Sequence, residues 1–280
     1  MNMLASQACD MAQLLVGRLS EVKGVEVVIA PPFTSLYPVG QIIKGSRLGL
    51  AGQNFYFESK GAYTGEVSLE MLRDVGCDFA LIGHSERRSL FGESDEAINK
   101  KVHRAIQMGI TAVVCVGETL EQRKAGATLN IIETQLSKGL AGLSGERLST
   151  LAIAYEPVWA IGTGVNATPE QVVDIHKFIR KFLFESLGFS EKVGTRILYG
   201  GSVNPENSKQ LLQEEQIDGA LVGGASLDFE SFSAIIHSAL EPWTIFSHNR
   251  ELSVGNQQLF DIFWKKDGQI NYSSACARSL

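Results

Sequence analysis

Apolar residues along this chain follow two spacings. Short, nearly unbroken apolar runs recur at residues 25–30, 48–52, 78–83, 110–116, 151–155, 196–200 and 219–223. Each is the length of a strand, and the one at 151–155 is short and tightly bounded enough to be a strand buried on both faces. Between them, apolar positions three and four apart predict helices over about 4–20, 94–108, 119–138, 168–187 and 205–212. Thr168-Pro169-Glu170-Gln171 opens one of these with a side-chain cap, a proline at the first helical position and a glutamine to complete the capping box. Strands alternating with helices predict βα units, a parallel sheet and right-handed crossovers. In such sheets ligands collect at the carboxyl ends of the strands. The informative residues are therefore Gln53-Asn54, His84 through Arg88, Glu118, Glu156, Gly201-Ser202 and Gly223-Gly224. They converge if the sheet closes into a barrel.

The stretch at 152–164, AIAYEPVWAIGTG, carries the most chemistry. A buried run delivers Glu156, and Pro157 restricts the glutamate to extended backbone. An apolar loop ending in Gly162-Thr163-Gly164 can fold over a ligand and shed water, which places Glu156 to act as a general base. The same residues also suit a buried strand that ends in a solvated glutamate and an ordinary loop. His84 follows the run Phe79-Ala80-Leu81-Ile82-Gly83 and precedes a polar stretch that can begin a short helix. Backbone N–H groups there favour a neutral imidazole, free to donate its remaining proton to a carbonyl. A histidine that merely satisfies local backbone groups fits the same pattern. His103 and His176 fall within helical patterns and are expected at the surface. Tyr199-Gly200-Gly201-Ser202 and Leu221-Val222-Gly223-Gly224 are glycine turns after successive strands, where main-chain N–H groups can approach an anion. With the glycine loop at 162–164 they make a phosphate cradle plausible, although neither a P-loop nor a dinucleotide fingerprint is present.

The 280 residues carry a net charge of −6, with 44% apolar and 20% charged residues. That balance argues against nucleic acid or an anionic membrane as the main partner. Cys9, Cys77, Cys115 and Cys276 show no metal-ligand spacing and read as free thiols of a reducing compartment. No stretch approaches the roughly 20 apolar residues of a membrane span, and the first residues lack a secretory signal. A cytoplasmic setting is expected.

His84, AYEPVWAIGTG, YGGSVNP and LVGGASL, in that order, resemble the triosephosphate isomerase family, and the resemblance covers residues 1 to about 240. Supporting stretches are APPF at 30–33, AGQN at 51–54, GAYTGE at 61–66 and CVGET at 115–119. The resemblance implies a (β/α)8 barrel that isomerises dihydroxyacetone phosphate and D-glyceraldehyde 3-phosphate, the family whose acid–base pair is a standard worked case. It implies Glu156 as base, neutral His84 as electrophile, and Gly162, Ser202, Gly223 and Gly224 as phosphate binders. Residues 157–164 become a lid, and neither metal nor organic cofactor is implied. The loop around Thr64 resembles the family's interdigitating loop, implying a homodimer. Glu66 and Arg87 match a charge pair there, and Glu86 matches an acidic residue that supports the site.

Two departures accompany the resemblance. The family's first strand ends in Asn-Trp-Lys followed by Met-Asn, whereas this sequence starts at Met1-Asn2. The expected barrel therefore lacks its first strand and the lysine, leaving two open edges. Residues 241–280 match nothing in the family and form an extension, with a hairpin expected from 261–265 through Asp267-Gly268 to 269–272. The commoner explanation for both departures is a start codon read too late and an altered 3′ end of the frame. Phe263-Trp264-Lys265 faintly echoes Asn-Trp-Lys, a likeness as short as chance supplies. Its testable form is a tail that enters the gap as a permuted first strand with Lys265 near the site. A barrel that retains sugar-phosphate binding with impaired catalysis is the alternative reading.

Overall fold

The computed structural model describes residues 1–143, 150–161, 166–188, 194–240 and 260–265. Eight strands close into a barrel in chain order: β1 Val25–Ala30, β2 Leu48–Gly52, β3 Phe79–Ile82, β4 Thr111–Val116, β5 Leu151–Tyr155, β6 Arg196–Tyr199, β7 Gly219–Val222 and β8 Phe260–Lys265. The first seven are the seven predicted runs, shortened by at most a residue at either end, and every pairing among them is parallel.

The eighth strand corrects the expectation of two open edges. It comes from the tail and pairs with both β1 and β7. It also corrects the expectation about Lys265, because β8 runs antiparallel to both neighbours. Lys265 stands opposite Val25 and Phe260 opposite Ala30, while Asp261 stands opposite Val222. The start of β8 thus lies at the carboxyl-end mouth and Lys265 at the far mouth. The tail fills the gap, but in the reverse sense to a permuted first strand. The second arm of the expected hairpin lies outside the described residues.

Two buried layers follow from strand alternation. Inside the barrel sit Val28, Ala51, Leu81, Val113, Ala154 and Leu198 among others, many of them small enough for opposing strands to share the interior. Outward-facing residues such as Ile29, Ile82, Ile153 and Val222 pack under the helices.

Helices surround the parallel strands: α1 Ala5–Arg18, α2 Phe33–Ile43, α3 Leu69–Asp74, α4 Ser85–Leu90, α5 Asp95–Met108, α6 Leu120–Lys124, α7 Thr128–Gly139, α8 Pro169–Leu187, α9 Pro205–Leu212 and α10 Phe229–Ser238. The caps expected of α8 form, with Thr168 Oγ1 accepting from Gln171 N and Gln171 Oε1 accepting from Thr168 N. The single helix expected over 119–138 is two, α6 and α7, because Gly126 turns the chain at φ +71°.

His176 overturns the surface expectation. It is fully buried on α8, its Nδ1 3.0 Å from the Gln216 carbonyl and its ring edge-on to Tyr155. Burial pushes its pKa down to about 4 from 6.5. The unfolded chain therefore takes up a proton that the fold refuses. This cost is absent above pH 6.5 and grows as pH falls towards 4. Between pH 7.5 and 5 the protein is expected to lose about 2 kcal/mol of stability through this one group. Urea unfolding at the two pH values, repeated with His176→Gln, checks it: the variant's acid loss should be smaller by that amount, and an equal loss in both would remove His176 as the cause.

Candidate active site

The carboxyl ends of β3 and β5 bring the two predicted side chains together. Glu156 leaves β5 with its N–H still bonded to the Val116 carbonyl at 2.8 Å, so the ladder carries one residue past the strand. Its side chain turns to the neighbouring α4, where Oε2 accepts from Ser85 N at 2.9 Å and Oε1 lies 2.8 Å from His84 Nε2. Both residues are almost wholly buried, His84 at 3% and Glu156 at 2% exposure, so Glu156 is no solvated strand end.

His84 caps α4. Its Nδ1 accepts from Glu86 N at 3.3 Å, which puts the ring proton on Nε2, facing the carboxylate. Burial pushes the ring towards neutrality, while the Glu156 charge and hydrogen bond pull the other way and hold the pKa above the ordinary histidine value. That pull lasts only while the two groups face each other. A ligand seated between them would weaken that pull, and burial and the Glu86 N–H both favour a neutral ring.

Other strand-end residues serve the frame. Glu118 is fully buried and accepts from the Tyr155 hydroxyl, Trp159 Nε1 at 2.9 Å and Arg123 Nη1 at 3.1 Å. It thereby ties the 3-10 turn Val158–Ala160 to β5 and α6. Gln53 donates to the Ala30 carbonyl at 2.7 Å and Asn54 accepts from Lys101 Nζ at 2.6 Å. Arg87 pairs with Glu93 at 2.9 Å within the chain, while Glu66 is exposed.

Ser202 follows β6 after Gly200-Gly201, and Gly223 and Gly224 follow β7, at the same mouth as His84 and Glu156. Gly224 opens a 3-10 turn, Gly224–Leu227, that points backbone N–H groups outward from its start. Gly162 and the rest of the expected glycine loop, residues 162–165, lie outside the described residues. A cavity of about 290 Å³ at the opposite mouth, between α1 and the starts of β1 and β2, is lined mostly by apolar side chains, with Ser20, Ser46 and Arg47, and holds neither carboxylate nor imidazole.

Sequence reasoning passed over Gln135 and gave no role of their own to Ser85 or to the Tyr199 ring. Ser85 supports Glu156 through its backbone N–H, which leaves no mark on residue choice. The Tyr199 ring stands where a side chain at Gly201 would fall, 2.2 Å from its hydroxyl, so the YGG order was the available signal.

The sequence model of the triosephosphate isomerase family matches residues 1–239. A triosephosphate isomerase of Endomicrobium trichonymphae is 51% identical over 84% of this chain and 94% of its own length. That of Carboxydothermus hydrogenoformans is 49% identical over 84% and 93%, and that of Aquifex aeolicus 52% identical over 76% and 85%. With a match that runs from Met1 through α10 and takes in every strand end that bears the site, the chain belongs to the triosephosphate isomerase family.

Proposed function

We propose that this chain interconverts dihydroxyacetone phosphate and D-glyceraldehyde 3-phosphate by moving a proton between adjacent carbons. The observation that carries the reading is the buried 2.8 Å contact between His84 Nε2 and Glu156 Oε1. A base and a proton donor that meet in a buried site suit a substrate whose acidic C–H lies beside a carbonyl. Glu156 takes the proton from carbon. Neutral His84 donates from Nε2 to the carbonyl oxygen, and charge that builds on that oxygen as an enediolate forms is met by a fixed donor. His84 passes the hydroxyl proton of the neighbouring carbon to the former carbonyl oxygen, and Glu156 returns its proton to that neighbouring carbon, which completes the isomerisation with no net change in atoms or electrons. Gly162, Ser202, Gly223 and Gly224 hold the phosphate through backbone N–H groups, a device suited to a protein of net charge −6. Residues 157–164 close over the site and exclude water, which guards the intermediate against loss of phosphate. Residues 1–240 supply the side chains and N–H groups named here, and β8, from within the extension at 241–280, closes the barrel that carries them.

The reading extends to a homodimer joined through the Thr64 loop. Leu90 at 73% and Phe91 at 68% exposure, on and just after α4, are costly to leave in water and sit beside the element that caps the site. Buried free thiols at Cys77 and Cys115 support a reducing, cytoplasmic setting.

The test is isomerisation of D-glyceraldehyde 3-phosphate by purified protein, beside Glu156→Gln prepared in the same way. Activity is expected, with a drop of about 10²–10⁴-fold in the variant. Folded wild-type protein that turns over nothing would overturn the reading, as would equal rates in both.

A further inference from the structure

Gln135 on α7 holds a stretch of main chain, at Gly117, against which the Glu156 backbone is packed without a gap. Strand β3 stops at Ile82, whose last partner is Val114, and the chain leaves the sheet to form α4. Strand β4 runs on. Along it, Val116 and Glu118 turn their carbonyls to the β5 side, accepting from Glu156 N at 2.8 Å and Val158 N at 3.1 Å. Cys115 and Gly117 therefore face the side that β3 has vacated. Two side chains take the place of the departed strand. Arg88 Nη2 donates to the Cys115 carbonyl at 3.1 Å. Gln135 meets Gly117 with both ends of its amide: Oε1 accepts from Gly117 N at 2.8 Å and Nε2 donates to the Gly117 carbonyl at 3.0 Å. A primary amide is the one neutral side chain that copies the donor–acceptor pair of a peptide.

The Gly117 peptide held in this way is the floor under Glu156. A Cβ on Gly117 would stand 1.7 Å from the Glu156 carbonyl oxygen and 2.6 Å from its carbonyl carbon. Any tilt of the Gly117 peptide is therefore passed directly to the backbone that carries the carboxylate and enters the lid.

We propose that Gln135 is a positioning residue for Glu156, acting as a one-residue surrogate for the missing β3 neighbour. The inference rests on the isomerase reading for its kinetic consequence and stands without it for its structural one.

Gln135→Met keeps the length and removes both hydrogen bonds. Its kcat is expected to fall on the order of tenfold to a hundredfold, the scale of a misplacement under 1 Å, with KM for the triose phosphate changed less than about twofold. Gln135→Glu supplies the control. As a carboxylate it accepts from Gly117 N but repels the Gly117 carbonyl, and as a neutral acid it can donate and accept like the amide. Its rate relative to wild type is expected to rise as pH is lowered, whereas the ratio for the Met variant stays flat. A Met variant with wild-type kcat overturns the proposal, and so does a Glu variant with no pH-dependent recovery. Amide hydrogen exchange gives a readout independent of turnover: exchange at Gly117 and at Glu156 should quicken at least about tenfold in the Met variant. If wild type proves inactive, the isomerase reading fails, and exchange at Glu156 alone decides whether Gln135 positions it; unchanged exchange there overturns the proposal.

Discussion

Ending the chain before Phe260 is expected to abolish its single cooperative unfolding transition and leave a product that aggregates. Strand β8 pairs with six consecutive residues of β1 and four of β7. Without it both strands present bare N–H and C=O rows, and the inner layer beside Val28 and Leu221 opens to water. Each lost backbone hydrogen bond costs about 1 kcal/mol net, and a handful of them amounts to a large share of the 5–15 kcal/mol that holds a domain together. A single substitution separates the stave from the bulk of the tail. Ile262 stands opposite Val28 on one side and Leu221 on the other, the position of a central strand. Ile262→Pro removes a ladder donor where proline is not tolerated, and should lower the melting temperature nearly as far as deletion does. Calorimetry on the three proteins decides. A truncated chain that melts in one transition at the wild-type temperature would show that β8 does not close the barrel.

Gly117→Ala is expected to reduce turnover about 100-fold or more and to destabilise the fold by about 1–3 kcal/mol. The added methyl meets backbone, the Glu156 carbonyl at 1.7 Å, which has no rotamer with which to move aside. The two strand ends must separate, and the carboxylate moves with them. Gly17→Ala is the matched control: it lies in α1 with nothing within 4 Å of the added carbon, and alanine there should be neutral or stabilising by up to about 1 kcal/mol. Steady-state kinetics and urea titration of both variants test the contrast. Wild-type turnover in Gly117→Ala would mean that the floor under Glu156 yields more easily than its contacts imply.

The parallel strands were legible because each is an unbroken apolar run with little competition from helix. The short helices were less so. Helices α3 and α4 are six residues long, under two turns, too few for a 3.6-residue period to show. Helix α2 carries Pro38 inside it, a residue that reads as a break. Glu156 and His84 were legible because each is the first polar residue with acid–base chemistry after an apolar run. The buried place of His176 was not, since one polar residue on a helical face gives no sign of which face turns inward. Gln135 was hidden for another reason: its role depends on where a different strand stops. The direction of β8 was beyond sequence reasoning altogether, because an apolar run pairs equally well either way round until its partners are known.

Closure by β8 also sets an order of events in folding. Residues 25–30 meet residues 260–265 across some 230 residues of chain, the longest-range strand contact among the described residues. The βα units between them form from neighbours close in sequence and can assemble as they are synthesised. The final seam waits until the tail has been made, and until then β1 and β7 are exposed together. The rate of sealing, rather than the strength of the finished barrel, therefore governs how much of this protein reaches its native state in a crowded cell.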